Sequence, residues 1–301
     1  MEADRALVTG GTGFLGPQLE RELMDDGFDV TAVGRASGDV TDPQAMRRLV
    51  VEARPTHVFH LAGIRDGELD ELLHVNAWGT VNVLEAVAAE APAARVLVAG
   101  SAAEYGETTR EPVDEDHPLR PVTDYGVAKT AQELAAAAVA ARRGVQLTRI
   151  RLFNVLGPGE PISFVASAIA GRIAAIQAGT ARPPLRTGDL STRRDFVDVR
   201  DVACALRLAA TRGDAGAVYN VCSGTATPIR RLVEELLALA GLDIAADSTP
   251  EPAVLNVRGH AGSAERLRAA TGWEPKRSLR ESLADVLAAQ QAARGLPSDA
   301  T

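Results

Sequence analysis

Tyr125 and Lys129 stand four residues apart in Tyr125-Gly126-Val127-Ala128-Lys129, and Ser101 closes an apolar run upstream of them. On a helix, a spacing of four puts both side chains on one face. A free tyrosine has a pKa of about 10, so using it near neutrality takes a shift of roughly three units, or about 4 kcal/mol. An ammonium about 4 Å away, at an effective dielectric near 20, supplies about that much. A hydroxyl donor, a phenol and an ammonium together could pass a proton to or from an oxygen on carbon, as carbonyl reduction or alcohol oxidation requires. Alone, the pair is equally at home on a helix surface. The chain has only two lysines, Lys129 and Lys276, and its arginine bias accounts for that scarcity.

A hydride carrier is suggested by Thr9-Gly10-Gly11-Thr12-Gly13-Phe14-Leu15-Gly16. Residues 5–8 before it read as a buried strand, and residues 17–24 after it have helical apolar spacing. Strand, tight turn and helix therefore come in the order a dinucleotide phosphate site needs. Gly10 lets the backbone turn, Gly13 lets it approach a pyrophosphate, and Gly16 lets the helix pack closely, with the helix N-terminus facing the anion. Thr12, Phe14 and Leu15 complete the expected phosphate loop.

The 301 residues, 46% of them hydrophobic, are ample for a large core. A net charge of -8 without a basic cluster argues against a nucleic-acid partner. No apolar stretch is long enough to span a bilayer, and Met1-Glu2-Ala3-Asp4 lacks the charged-then-apolar pattern of a signal peptide. A cytoplasmic protein is the expectation. Cys204 and Cys222 are too few and too separated for a disulfide framework or a thiolate metal site. His57 and His60 point to opposite faces of a strand, so no metal site is expected.

Apolar strand-like runs at 6–9, 29–33, 57–62, 95–99 and 146–151 alternate with helical runs that include 77–89 and 125–142. This pattern predicts an α/β fold with a Rossmann-type, doubly wound parallel sheet. Beyond Gly157 the pattern loosens into helices near 164–178, 199–210, 229–240, 264–270 and 279–290, with short strands near Leu185 and Val218. A smaller C-terminal α/β lobe on the carboxyl edge of the sheet is expected there, where ligands bind in such folds. The expected organisation is a dinucleotide-binding domain over 1–156, a mostly substrate-binding lobe over 157–295 with part returning to the first domain, and a flexible tail over 296–301.

With these residues in hand, the chain resembles the extended short-chain dehydrogenase/reductases that act on nucleotide sugars, an NAD-dependent epimerase/dehydratase family. Two residues rather than one separate the first two motif glycines, as in that superfamily. The likeness also includes His60-Leu61-Ala62-Gly63, Asn76-Ala77-Trp78-Gly79-Thr80, Gly100-Ser101-Ala102-Ala103-Glu104-Tyr105-Gly106, Arg151-Leu152-Phe153-Asn154 through Gly159, Arg194-Asp195-Phe196-Val197-Asp198 and Thr271-Gly272-Trp273-Glu274-Pro275. Within the family it looks most like the branch reducing GDP-4-keto-6-deoxymannose, a step of deoxysugar biosynthesis. The resemblance implies that Ser101 bonds the reacting oxygen, Tyr125 is the acid/base, and Lys129 holds the nicotinamide ribose while depressing the tyrosine pKa. It also implies cofactor contacts from Leu61, Ala62, Gly63 and Asn76, substrate contacts from Asn154 and Arg194, and a homodimer.

Two departures from the family pattern shape the reading. Dehydratases place Thr at the position of Ser101 and Glu two residues later, where this chain has Ala103. Glu104 is one residue off, and in an extended segment it would face the opposite side. Relatives also carry an Arg-Pro-x-Asp run against the nucleotide. Here Pro250 to Val257 replaces it, leaving Arg258 to reach in from a shifted position. An NAD site wants an acidic residue at the end of the second strand. This chain has Gly34-Arg35, which favours NADP(H) through the 2′-phosphate, with NAD(H) as the alternative. Asp39-Val40 matches the family's adenine-contacting pair. The leading expectation is an NADPH-dependent reductase of a GDP- or dTDP-linked 4-keto-6-deoxyhexose. The alternatives are a 4-epimerase with retained NAD and a non-catalytic NADP(H)-sensing protein.

Overall fold

In the computed structural model, which describes residues 3–248 and 259–296, buried apolar strands set the architecture. In chain order the first part runs β1 (Arg5–Thr9), α1 (Gly16–Asp25), β2 (Asp29–Val33), α2 (Pro43–Ala53) and β3 (His57–His60). A short α3 (Leu69–Leu72) continues through a π-helical stretch, Leu73–Trp78, into α4 (Gly79–Glu90). Then come β4 (Arg95–Ser101) with a 3-10 turn at Ala102–Glu104, α5 (Asp124–Arg143), β5 (Gln146–Leu152), β6 (Asn154–Leu156) and α6 (Val165–Gln177). The remainder is β7 (Leu185–Thr187), β8 (Arg193–Asp198), α7 (Val199–Arg212), β9 (Val218–Val221), β10 (Ala226–Pro228), α8 (Ile229–Leu239), β11 (Ala246–Ser248), α9 (Glu265–Thr271) and α10 (Leu279–Ala292).

Six parallel strands form the main sheet in the order β2-β1-β3-β4-β5-β9. Alternate residues feed two cores, as a sheet covered on both faces requires. Val8, Phe59, Leu97 and Ile150 pack with residues of α1 and α7. Leu7, Val58, Val96 and Leu147 pack with residues of α2, α4 and α5. A third core joins α6, α8 and α10 beside the small sheet β10-β8-β6. The strand near Val218 belongs to the main sheet, paired with β5, although it follows the second lobe's first elements in sequence.

Local chemistry sets the boundaries. Thr123 caps α5 by accepting from Gly126 N, and the helix ends at Gly144 with φ 74° after Arg142 and Arg143. Pro17 lies in the first turn of α1, where a missing N–H costs nothing. The strand expected over 57–62 stops at His60, because the following residues leave the sheet over the glycine turn: a methyl on Gly10 would lie 2.6 Å from Ala62 N. The helix expected over 77–89 starts earlier, since Leu69 to Glu90 is helical with one π-turn inside it.

Candidate active site

The sheet order reverses between β1 and β3, and the loops leaving the carboxyl ends of those strands open the crevice where α/β folds bind ligands. Gly10 takes φ 74°, its neighbour Gly11 donates to Val33 O at 2.8 Å, and Gly13 N closes onto Gly10 O at 3.0 Å. A methyl on Gly16 would stand 2.1 Å from Gly11 O, so α1 starts in direct contact with the turn. No side chain caps α1 at Leu15, which leaves its N-terminal dipole and N–H groups to an anion. Thr12 and Gly13 are exposed, and Phe14 and Leu15 half-buried, along this rim. This uncapped glycine cradle fits a dinucleotide pyrophosphate.

The loop after β3 forms the next wall. His60 is fully buried and bonds Thr9 Oγ1 at 2.7 Å through Nδ1 and Thr80 Oγ1 at 2.8 Å through Nε2. Thr80 donates its own proton to Asn76 O, so it accepts from His60 Nε2–H, and Thr9 donates to Nδ1. Burial pushes the imidazole down to about 3, and it stays a neutral clamp between β1 and α4. Asn76, within the π-turn, spends its amide on Ile64, donating to its carbonyl at 2.9 Å and accepting from its N–H at 3.0 Å. It therefore shapes the Leu61-Ala62-Gly63 loop.

Ser101 ends β4 and starts the 3-10 turn, and Tyr125 lies in the first turn of α5. Burial pushes the Tyr125 phenol up, opposed by the Ser101 hydroxyl and then by the Arg65 guanidinium. Lys129, which the spacing sets on the same helix face as the phenol, makes its hydrogen bonds elsewhere. Its ammonium is turned onto Ala99 O at 2.9 Å and Gln132 Oε1 at 2.7 Å, and the downward pulls on Tyr125 come from Ser101 and Arg65. Burial lowers Lys129 itself to about 8. A methyl on Gly63 would lie 3.5 Å from its Nζ, so the ammonium borders the Gly63 loop.

The segment after Ser101 is not extended, and this changes what Glu104 does. The 3-10 turn folds Glu104 back, where Oε1 accepts from Ser101 N at 2.7 Å while Ala103 N donates to Ser101 Oγ at 3.2 Å. Glu104 is fully buried, pushed well up by burial and by the Glu133 carboxylate beside it. Glu133 is ionised against Arg151, which forks onto it at 2.9 and 2.7 Å and also donates to Tyr105 Oη. The Glu104 carboxyl is thus spent on the backbone of Ser101, and Ala103 brings no carboxylate of its own.

On the opposite side, β8 carries Arg194 and Asp195. Arg194 is half-buried; burial lowers its pKa first and Arg65 second, while Asp189 raises it. Asn154 on β6 donates to Asp195 O at 3.2 Å. Arg258 lies outside the described residues. At the far rim Arg35 is exposed with Nε 3.5 Å from Asp39 Oδ2, and that carboxylate also accepts from Thr41 N at 2.9 Å. Val40 is buried, with its carbonyl held by Asn82 and its side chain against Gly79.

Sequence reasoning passed over Arg65, Gln132, Glu133 and Asp195. The Arg65 guanidinium lies 4.8 Å from the centroid of the Phe164 ring, which in turn meets Phe14 edge-on at 6.3 Å. Asp195 gathers Ser223, Gly224 and Gly262 through four hydrogen bonds. Only its place in the motif beside Arg194 hinted at this. Among the described residues no helix is long and apolar enough to cross a membrane, and no three His, Cys, Asp or Glu residues group to hold a metal.

Comparison with known proteins agrees with this geometry. Residues 6–222 match the NAD dependent epimerase/dehydratase family. GDP-6-deoxy-D-mannose reductase of Pseudomonas aeruginosa is 33% identical over 94% of this chain and 96% of its own. dTDP-6-deoxy-L-talose 4-dehydrogenase (NAD(P)(+)) of Kitasatospora kifunensis is also 33% identical, over 96% of each chain. The structure of RMD from Pseudomonas aeruginosa complexed with NADPH superposes with a TM-score of 0.88 at 31% identity, covering 96% of this chain and 99% of that one.

Proposed function

Because the chain belongs to the NAD dependent epimerase/dehydratase family, as an NAD(P)-dependent enzyme of the extended short-chain type, we propose that it reduces the keto group of a GDP- or dTDP-linked 4-keto-6-deoxyhexose with NADPH. The observation that carries this reading is the pairing of Ser101 with a half-buried Tyr125 whose phenol is pushed up, while the Glu104 carboxyl is folded back onto Ser101 N. A phenol that keeps its proton at neutral pH carries the proton that reduction needs, whereas oxidation would first require its removal. When bound, the dinucleotide supplies the hydride. The glycine turn, the Gly63 loop and Lys129 would hold it, and Arg35 would pair with the 2′-phosphate.

Each remaining task falls to a residue of this chain. Ser101 donates to the reacting oxygen and stabilises its growing charge, and Tyr125 delivers the proton. Arg194 offers a fork to the diphosphate and Asn154 contacts the sugar nucleotide. Dehydration of a parent sugar lacks its carboxylate, since the position of Ala103 is empty of one. The names of the two relatives, one GDP-linked and one dTDP-linked, support the substrate class without choosing the base.

A second reading, a 4-epimerase with retained NAD, is favoured by Asp39. Its carboxylate, 3.5 Å from Arg35, could accept from ribose hydroxyls and repel a 2′-phosphate. Identifying the dinucleotide released on denaturing the purified protein separates the two. An empty protein that takes up NADPH supports the reductase, and stoichiometric bound NAD supports the epimerase. Trp78, Val127 and Leu134 are exposed on the α4 and α5 side, at 62%, 37% and 62%. They support a homodimer through those helices, which Leu134→Glu should dissociate in sedimentation.

A further inference from the structure

The ammonium of Lys129 is held by a residue to which the proposed reaction gives no part. Lys129 Nζ donates to Gln132 Oε1 at 2.7 Å and to Ala99 O at 2.9 Å. Gln132 Nε2 donates to the same Ala99 carbonyl at 3.3 Å, so the three groups close a ring. Gln132 is 1% exposed and Lys129 6%. Ala99 precedes Ser101 by two residues on β4, and Gln132 lies one turn beyond Lys129 on α5. The ring therefore ties the lysine of the helix to the strand that carries the serine. An ammonium has three donors. Two are spent here, at a position bordering the Gly63 loop.

We propose that Gln132 is a positioning residue of the active site: it holds the Lys129 ammonium, charged, beside the Gly63 loop and thereby fixes a bound dinucleotide's ribose relative to Ser101 and Tyr125. The proposal rests on reading Lys129 as a cofactor-holding residue. A buried ammonium must be solvated by something. Glu104, from the turn after β4, is held well above the usual carboxylate range and pulls the lysine upward; His60, from β3, is neutral; the Tyr125 phenol, on the same helix, is pushed up; and Glu133 is engaged by Arg151. The oxygens of Ala99 and Gln132 are what the ammonium touches, and with the pull of the Glu104 carboxyl they hold the charge in place. Even with them the lysine sits at about 8, so losing one acceptor should discharge it within the working pH range.

Having two lysines makes this directly measurable. Protein carrying 13C at lysine Cε gives two titrating signals, and Lys276→Arg assigns them. In Gln132→Leu the Lys129 midpoint should fall by about one unit or more, and in Gln132→Glu it should rise above that of the unmodified protein. NADPH affinity of the leucine variant, read by fluorescence, should be roughly tenfold weaker above the native midpoint and recover as the pH is lowered. A packing defect would instead weaken binding equally at every pH. If the leucine variant does not fold, the glutamate variant, which keeps the size and an acceptor, must still raise the midpoint. A Lys129 midpoint that does not move in either variant, or a pH-independent loss of NADPH affinity, overturns the proposal. No sugar enters these measurements, so a wrong substrate assignment would appear separately, as missing turnover with normal lysine titrations.

Discussion

Asp195→Asn tests how the substrate side of the crevice is held together. Asp195 is fully buried. Its Oδ1 accepts from Ser223 N and Ser223 Oγ at 2.7 Å each, and Oδ2 accepts from Gly224 N at 2.9 Å and Gly262 N at 3.1 Å. Asparagine has the same outline but turns one of these acceptors into a donor. With its NH2 at Oδ2, two backbone N–H groups would face a donor. With it at Oδ1, one would, and the Ser223 hydroxyl can rotate to accept. The second orientation costs less: an orphaned buried N–H is worth about 1–3 kcal/mol, and the surviving bonds lose their charge assistance, for about 2–4 kcal/mol in all. Burial already pushes the Asp195 carboxyl up, so removing its charge returns some desolvation cost and draws the estimate toward the lower end. At about 2–4 °C per kcal/mol, that lower end should drop thermal unfolding by about 4–8 °C. Because Arg194 adjoins Asp195 on β8, the KM for the sugar nucleotide should rise while the NADPH Kd holds. A melting temperature within about 2 °C of the native protein, or equal losses in KM and NADPH affinity, would refute this reasoning.

Tyr125→Phe keeps the ring and removes the proton donor, so turnover should fall by about 10²–10⁴-fold while NADPH affinity stays within a few-fold; a rate assay with a fluorescence titration checks both. Arg35→Ala should weaken NADPH by about 1.5 kcal/mol and leave NADH nearly unchanged, the exposed pairing with Asp39 keeping the effect at the low end for a charged hydrogen bond. Equal losses would assign Arg35 to adenine stacking. Glu160, buried against Ser167, is raised from 4.5 to about 7. Between those values the folded protein binds more protons than the unfolded chain, so this group's contribution to stability falls as pH rises, by up to about 3 kcal/mol. Glu160→Gln should therefore raise the melting temperature above neutrality and leave it little changed in mild acid, as melts across that range would show.

The glycine turn, the parallel strands and the helix bearing Tyr125 and Lys129 were legible because each is written in contiguous residues: a fingerprint, a buried run, a spacing of four. What pairs with them was not. Lys129 is close in sequence to Tyr125, yet its ammonium goes to Ala99, thirty positions back, and to Gln132, because a buried charge follows its acceptors. Glu104 looked extended by position, but Ser101 and Glu104 cap each other and coil the segment, which turns the carboxyl inward. The carboxylate of Asp195 reaches residues 28 to 67 positions away, and its role appears only once β8, β9 and the chain near Gly262 are brought together. The helix running from Leu69 hides its π-turn for a similar reason: Asn76 is placed by what it bonds, Ile64, rather than by local propensity.

The central claim is that Ser101 and Tyr125 complete the delivery of a hydride to a sugar carbonyl. Its most direct test mixes the protein with NADPH deuterated at the transferring position and a GDP- or dTDP-linked 4-keto-6-deoxyhexose, and reads the product by mass spectrometry and NMR. One deuterium at carbon 4 for each NADPH consumed, with none incorporated by Tyr125→Phe, is the result expected. Epimers of a 4-hydroxy sugar exchanging without net loss of NADPH, or label retained in the recovered dinucleotide, would contradict it.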